Sequence, residues 1–302
     1  MRYFLSLLIL LSGVVVVNAQ QLTTSSMFDM YGVLHNPATA GSAQHGVIGG
    51  NYRKLWDAMP GGPETALLFG SGYLKKSRLG IGGYVYTDKT GPTSYKGLEL
   101  AIAYHIPLKN NTTFSLGLEG RAQQFSFDRA KLAASLNTGG TVDPVIAGDE
   151  NRFKGDAGFG VAINNQKFQF GASVSQLIQS KLNLYEGTGT PNEEGRLYRH
   201  YYLHGNYRWK VDEATNIVPN LLMIYLPNAP LELQGGARVE HHNLFWWGVT
   251  WRSNQAWLIS AGLKIKQRFN IGYSFDLYNT PLSVYDGGSQ GHEIMLRYDF
   301  MK

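Results

Sequence analysis

Apolar and polar positions alternate with a period of two along most of the chain, most clearly at its end. Over residues 269–277 the odd positions Phe269, Ile271, Tyr273, Phe275 and Leu277 are apolar, and the even ones are polar or Gly. Over 292–300 the apolar set is Ile294, Leu296, Tyr298 and Phe300. The same rhythm runs through Trp257/Ile259/Ala261/Leu263/Ile265, Leu231/Leu233/Gly235/Ala237/Val239, Phe168/Phe170/Ala172/Val174, Ala157/Phe159/Val161/Ile163, Phe114/Leu116/Leu118 and Leu98/Leu100/Ile102/Tyr104/Ile106. This is the signature of strands with one apolar face. The opposite faces carry Glu99, His105, Glu119, Arg121, Gln123, Asp156, Gln169, Ser173, Glu232, Gln234, Arg238, Ser260 and Lys264. No long stretch has helical periodicity. The segments near 47–86 and 197–226 alternate poorly.

Counting segments predicts about fourteen strands of roughly 9–12 residues, the length a tilted strand needs to cross a bilayer. The connections after even-numbered strands are tight, centred on Lys76-Ser77, Asn110-Asn111, Asn164-Asn165, Asp212-Glu213, His241-His242-Asn243 and Gln267-Arg268. Those after odd-numbered strands are mostly longer: 57–64, 88–94, 127–154, 183–196, 227–230 and 279–290, with Ser253-Asn254-Gln255 the short exception. Trp209, Trp246 and Trp247 fall by the short turns, and Trp56, Trp251 and Trp257 by the other end, as two aromatic girdles would. A soluble β-sandwich also alternates, but has no reason to sort loops by length or to collect Trp at both strand tips. The pattern therefore predicts an all-β fold, a transmembrane antiparallel up-and-down β-barrel with short periplasmic turns, long outer loops and both termini periplasmic.

Composition agrees. The 302 residues include 36 Gly, 13% are aromatic, only 16% are charged, and none is Cys. Outward apolar and inward polar residues average to a chain that is not hydrophobic overall (mean hydropathy −0.20). Residues 1–19 have a basic start, an apolar run and small residues before Gln20, and read as a secretory signal peptide. Residues 20–45 then form an N-terminal periplasmic or plug segment, and 46–302 the barrel. Without Cys there is no lipoprotein anchor or thiol chemistry.

Candidate chemistry is sparse. His200 and His204 share a strand face but stand about 13 Å apart, too far to hold one metal. His241-His242 lies in a turn without a partner carboxylate. Asp156-Ala157-Gly158-Phe159-Gly160 resembles a phosphate loop, but no helix follows it. Gly70-Ser71-Gly72 lacks nucleophile-elbow spacing, and nothing pairs Ser with His locally, which argues against a barrel-wall lipid enzyme. No catalytic residue, cofactor site or metal site is expected. Strand glycines such as Gly49, Gly50, Gly80, Gly82, Gly158, Gly160 and Gly236 suit tight bends or close packing of another segment. The clusters Lys75-Lys76-Ser77-Arg78 and Lys264–Arg268 fit lipid phosphates, an acidic partner or plain solvated turns. Nothing suggests nucleic-acid binding.

Three stretches are more specific. The first contains Tyr31-Gly32-Val33-Leu34-His35-Asn36-Pro37-Ala38-Thr39-Ala40-Gly41, then Arg53 and Trp56, then Pro63 and Thr65. The second is Asp88-Lys89-Thr90-Gly91-Pro92. The third joins Tyr273, Asp276 and Pro281 to His292-Glu293-Ile294-Met295-Leu296-Arg297-Tyr298-Asp299-Phe300. In order and spacing the whole mature chain resembles the PorP/SprF family of Bacteroidetes outer-membrane proteins, tied to type IX secretion and gliding. Lys54-Leu55 before Trp56, and Met301-Lys302 after the aromatic end, depart from the family pattern.

The resemblance implies a non-enzymatic outer-membrane scaffold. Its partners would be outer-membrane lipid, periplasmic PorK-, PorN- and PorE-like components and a large secreted adhesin. The shared motif residues would serve structural or docking roles. Asn36-Pro37-Ala38 suits a turn that tucks the N-terminal segment into the barrel mouth, and equally a plain turn into the first strand. The alternative function is a passive or FadL-like channel for small solutes.

Overall fold

The computed structural model describes residues 24–128, 130–131, 149–182, 195–227, 229–253, 255–279 and 290–301. The expected signal peptide, Asn254, Pro281 and most of the loops expected at 127–154, 183–196 and 279–290 lie outside the described residues. The long strands of the barrel are β1 (Gly46–Leu55), β2 (Glu64–Leu74), β3 (Leu79–Thr90), β4 (Thr93–Pro107), β5 (Thr113–Asp128), β6 (Asp149–Asn164) and β7 (Phe168–Ser175). They continue with β8 (His200–Tyr207), β9 (Thr215–Tyr225), β10 (Glu232–His241), β11 (Phe245–Arg252), β12 (Ala256–Ile265), β13 (Phe269–Tyr278) and β14 (Gly291–Phe300). Each pairs antiparallel with its sequence neighbours, including β7 with β8 and β8 with β9. The β1–β14 seam closes the ring, in register from Gly46↔Phe300 to Leu55↔Gly291. A closed fourteen-stranded barrel has no free sheet edge.

The wall is apolar outside and polar inside. On β4, Leu98, Leu100, Ile102 and Tyr104 are exposed while Glu99 and His105 are buried. On β11, Trp247, Val249 and Trp251 face out, and Trp246, Thr250 and Arg252 face in. Such an arrangement is stable only where lipid covers the outside. Trp246 is a correction to the girdle reading. Its neighbours in the alternation, Phe245 and Trp247, point to lipid, so one strand of unbroken aromatics feeds both faces.

The turns sort as the loop lengths predict, with two differences: residues 149–154, expected within a loop, belong to β6, and the second lies between β3 and β4. Residues 88–94 are not a long loop: β3 and β4 continue to Thr90↔Thr93 and meet in a two-residue turn, Gly91-Pro92. Gly91 has φ +56°, which Gly adopts without strain. The polar run 86–90 is strand whose outer face need not be apolar, and for that reason it mimics a loop.

β1 begins, and β14 ends, at the short-turn end. The chain ahead of β1 does not lie outside that end. Residues 24–45 run down through the lumen as short helical turns, Phe28–Met30, Gly32–His35 and Pro37–Thr39. Thr24 stands at the level of Arg53, near the far end of β1. Met27, Tyr31, Val33, Leu34 and Ala40 form one buried cluster with inward Val47, Leu67, Phe69, Tyr84, Trp246 and Met295, and Phe28 packs on Tyr202, Leu222 and Ile224. The apolar core is therefore inside the barrel, between plug and wall. This explains the poor alternation near 47–86 and 197–226. There the inner face is apolar too, because it meets the plug.

The approach is close where glycine allows it. A Cβ on Gly80 would fall 1.9 Å from the Ala40 carbonyl oxygen, and one on Gly117 2.2 Å from the Ala38 nitrogen. Gly72, by contrast, has nothing within 4 Å of such a Cβ. Gly117→Val is expected to push the plug off the wall and cost about 1–3 kcal/mol. A lower midpoint in heat-modifiable electrophoresis and faster chymotrypsin cleavage near Phe28–Leu34 would report it, whereas Gly72→Ala should match wild type in both assays.

Candidate functional site

The plug is held by four polar anchors spread around the wall. The first centres on Arg53, whose Nη2 donates to Asp276 at 2.8 Å and whose Nε stands 3.6 Å from Glu293. Both carboxylates are fully buried. They also receive plug donors: the Ser26 hydroxyl reaches Asp276 at 2.8 Å, the Ser26 backbone N–H reaches Glu293 at 2.8 Å, and the Ser25 hydroxyl reaches Glu293 at 2.5 Å. Arg53 Nη1 donates to the Thr24 carbonyl at 2.8 Å, and Asn51 donates to Glu293. Alternation within β1, β13 and β14 aims all three charged side chains inward, and strand pairing sets Arg53 opposite Glu293.

The second anchor is Asn36. Its Nδ2 donates to the Val161 carbonyl at 2.9 Å and lies 3.0 Å from His204, while its Oδ1 accepts the Ala38 N–H at 2.9 Å and caps the turn that Pro37 starts. The third is His105. Its Nε2 meets the Ala40 carbonyl at 2.8 Å, so Nε2 carries the proton and Nδ1 accepts from Ser115 at 2.7 Å. Next to it the Gly41 N–H donates to Ser71. The fourth joins the short-turn end. Arg297 donates to the Met30 carbonyl at 3.0 Å and pairs with Asp299 at 2.7 Å, and Arg238 pairs with Asp29 at 2.9 Å.

On the long-loop side of Asn36, Arg121 contacts Glu99 and lies 3.4 Å from Glu119, and Tyr84 donates to Glu99 at 2.6 Å. Glu232 stands 3.6 Å from Arg252. Salt bridges this deep survive only because each charge has a partner.

The remaining motif residues are elsewhere. Thr65 donates to Asp88 on the neighbouring strand at 2.6 Å. Trp56, Pro63, Gly91 and Pro92 build the long-loop rim: the Leu55 N–H reaches the Pro63 carbonyl, and the Gly91 N–H reaches the Gly61 carbonyl, both at 2.9 Å. His292 faces outward, between Tyr273 at 2.6 Å and Asp57 at 3.3 Å. The Gln290 backbone N–H, followed by His292, holds the Asp57 carboxyl below its usual range. At the opposite rim, backbone N–H groups of Ala214 and Thr215 do the same to Asp212. Tyr298 and Phe300 pack edge to face on the lipid side, 4.9 Å apart. The sequence motifs thus divide into plug anchors, a long-loop rim and a lipid-facing end. His200 and His204 both face the lumen, and among the described residues no group of three or more His, Asp or Glu is placed to hold a metal.

Ser25, Ser26 and Asp29 were not legible as anchors. Short polar residues ahead of the first strand carry no periodic signal, and their partners are some 210 to 270 residues away. Asn270, Ser274 and Asp299 could have been found, since they occupy the polar phase of strongly alternating strands.

The family model of the type IX secretion system membrane protein PorP/SprF matches residues 17–298. The chain belongs to the PorP/SprF family. It is therefore a type IX secretion system membrane protein, and its closed fourteen-stranded barrel places it in the outer membrane. The family is a secretion-system component rather than an enzyme family. No curated protein matches the sequence. Among solved structures, a Pseudomonas aeruginosa FadL homologue is similar at TM-score 0.52 and 12% identity, over 88% of this chain and 93% of that one. The Ralstonia pickettii toluene transporter TbuX is similar at TM-score 0.50 and 10% identity, over 92% and 94%. At such identities the likeness concerns the fold alone.

Removing the Arg53 charge would leave two buried carboxylates facing each other. Arg53→Met is expected to cost about 3–5 kcal/mol. Thermal melting of the detergent-solubilised barrel checks this, and the triple variant Arg53→Met, Asp276→Asn, Glu293→Gln should recover part of the loss.

Proposed function

We propose that this PorP/SprF protein is a non-enzymatic scaffold that fixes secretion machinery to the outer membrane. Its short turns would face periplasmic ring or linker proteins, and its long loops an exported adhesin. The observation that carries this reading is the occupied lumen: residues 24–45 touch the wall all round and are tied to it at four places. A barrel filled by its own chain presents its two ends as surfaces and not as an open pore. The motif residues then act at a distance from any partner, Arg53, Asp276, Glu293 and Asn36 by fixing the plug, Trp56, Pro63 and Gly91 by shaping the outer rim.

A second reading is a channel for small solutes, favoured by the fold shared with the toluene transporter TbuX and the FadL homologue. The two differ in conductance. In planar bilayers the scaffold is expected to be silent, and a variant lacking residues 24–45 should give large steps; steady large steps from wild type would favour the channel. Gene deletion should impair export or surface display of adhesins, and unaltered secretion would overturn the scaffold reading.

A further inference from the structure

At the short-turn end a cavity of about 440 Å³ opens between plug and wall, within the ~300–1,000 Å³ usual for ligand sites. Five cationic side chains line it, those of Lys167, Arg208, Arg238, Lys264 and Arg297, against the three carboxylates of Asp29, Glu240 and Asp299. The arginines use those carboxylates. Arg238 pairs with Asp29 at 2.9 Å and Glu240 at 3.0 Å, Arg208 with Glu240 at 3.3 Å, and Arg297 with Asp299 at 2.7 Å. Lys167 and Lys264 form no ion pair among the described residues, so the excess positive charge is theirs.

The lining also holds unmet hydrogen-bond capacity of both kinds. Trp246 Nε1 and Arg238 Nε are buried donors, and Asn164 Oδ1 a buried acceptor, with no partner among the described residues. Such groups cost free energy unless something polar reaches them. Around the mouth the turns add Lys75, Lys76 and Arg78, then Lys109, then Lys266 and Arg268, with only Asp212 and Glu213 acidic among the turn residues.

We propose that this vestibule receives an extended acidic segment of a partner protein. The proposal rests on the scaffold reading above and names the chemistry of its partner. Carboxylates of the segment would meet Lys167 and Lys264, the two cavity cations without an ion-pair partner among the described residues. Its backbone would lie along Trp246, Arg238 and Asn164, whose buried unpaired atoms would meet its carbonyl and N–H groups after a small side-chain shift. A lipid phosphate lies in the plane of the outer wall and cannot reach inward-facing Trp246 and Lys264. A free anion offers charge and acceptors but few donors. A polypeptide supplies all three.

The test uses full-length protein in detergent micelles and a fluorescein-labelled peptide of alternating Glu and Gly, followed by fluorescence anisotropy. Saturable binding is expected, weakening with added salt, and the pair Lys167→Glu, Lys264→Glu should reduce affinity at least roughly tenfold. The pair Lys75→Glu, Lys76→Glu, outside the cavity, should change it by less than about twofold. Heat-modifiable migration verifies that each variant is folded; Lys167→Glu alone, on an exposed turn, replaces the pair if the pair is not.

No saturable binding by wild type, or equal affinity in the vestibule variant, overturns the proposal. So does displacement of the peptide by inorganic phosphate alone, which would mark a free-anion site. If phosphatidylglycerol vesicles displace it, and the Lys75/Lys76 variant rather than the vestibule variant loses affinity, the ring serves lipid and the proposal falls. None of these results bears on the secretion phenotype of the gene deletion, so the scaffold reading stands or falls separately.

Discussion

The Arg53 guanidinium, shared between two buried carboxylates and the first described residues of the chain, is the contact on which the interior depends. Three strands that meet at the closing seam contribute one charge each, and neither acid is tolerable there alone. The Ser25 and Ser26 donors supply what a single cation cannot. Removal of the plug would leave Asp276 and Glu293 with too few donors; removal of Arg53 would leave plug and carboxylates without their common partner. The ion cluster therefore couples barrel closure to plug placement.

The rest of the interior follows from the same constraint. A lumen packed with protein gives each polar group a limited choice of partners, so His105, Arg297 and Arg238 of the wall each reach a main-chain or acidic group of the plug, and Asn36 of the plug reaches the Val161 carbonyl of the wall. Glycines at 80 and 117 let the two backbones approach where side chains could not be accommodated. The apolar core lies within the barrel, on the side that a plain pore would keep wet.

Much of this architecture is legible in the sequence because lipid imposes a simple rule on alternate residues. Strand count, the sorting of turns and the inward set Glu99, Glu119, Arg121 and Arg238 all follow from period two. The rule breaks where a second condition acts. Leu67, Phe69 and Tyr84 face inward yet are apolar because the plug covers them, and Trp246 is an interior residue inside an aromatic run. Residues 24–45 themselves have no period, since one short turn after another meets a different part of the wall. Arg53, Asp276 and Glu293 could be singled out as a motif, but their meeting depends on the register of β1, β13 and β14, which no local pattern carries.

The plug precedes β1 in the chain, and the seam joins β1 and β14, the first and last of the described strands. Asn36 grips β6 to β8 from within, and Ser26 grips β13 and β14 from within. A closed ring would offer this segment no lateral way in, and threading it through a mouth would have to pass the narrow contacts at Gly80 and Gly117. The topology thus favours an order of assembly in which a still-open sheet embraces the N-terminal segment and zipping of the seam then locks it in place.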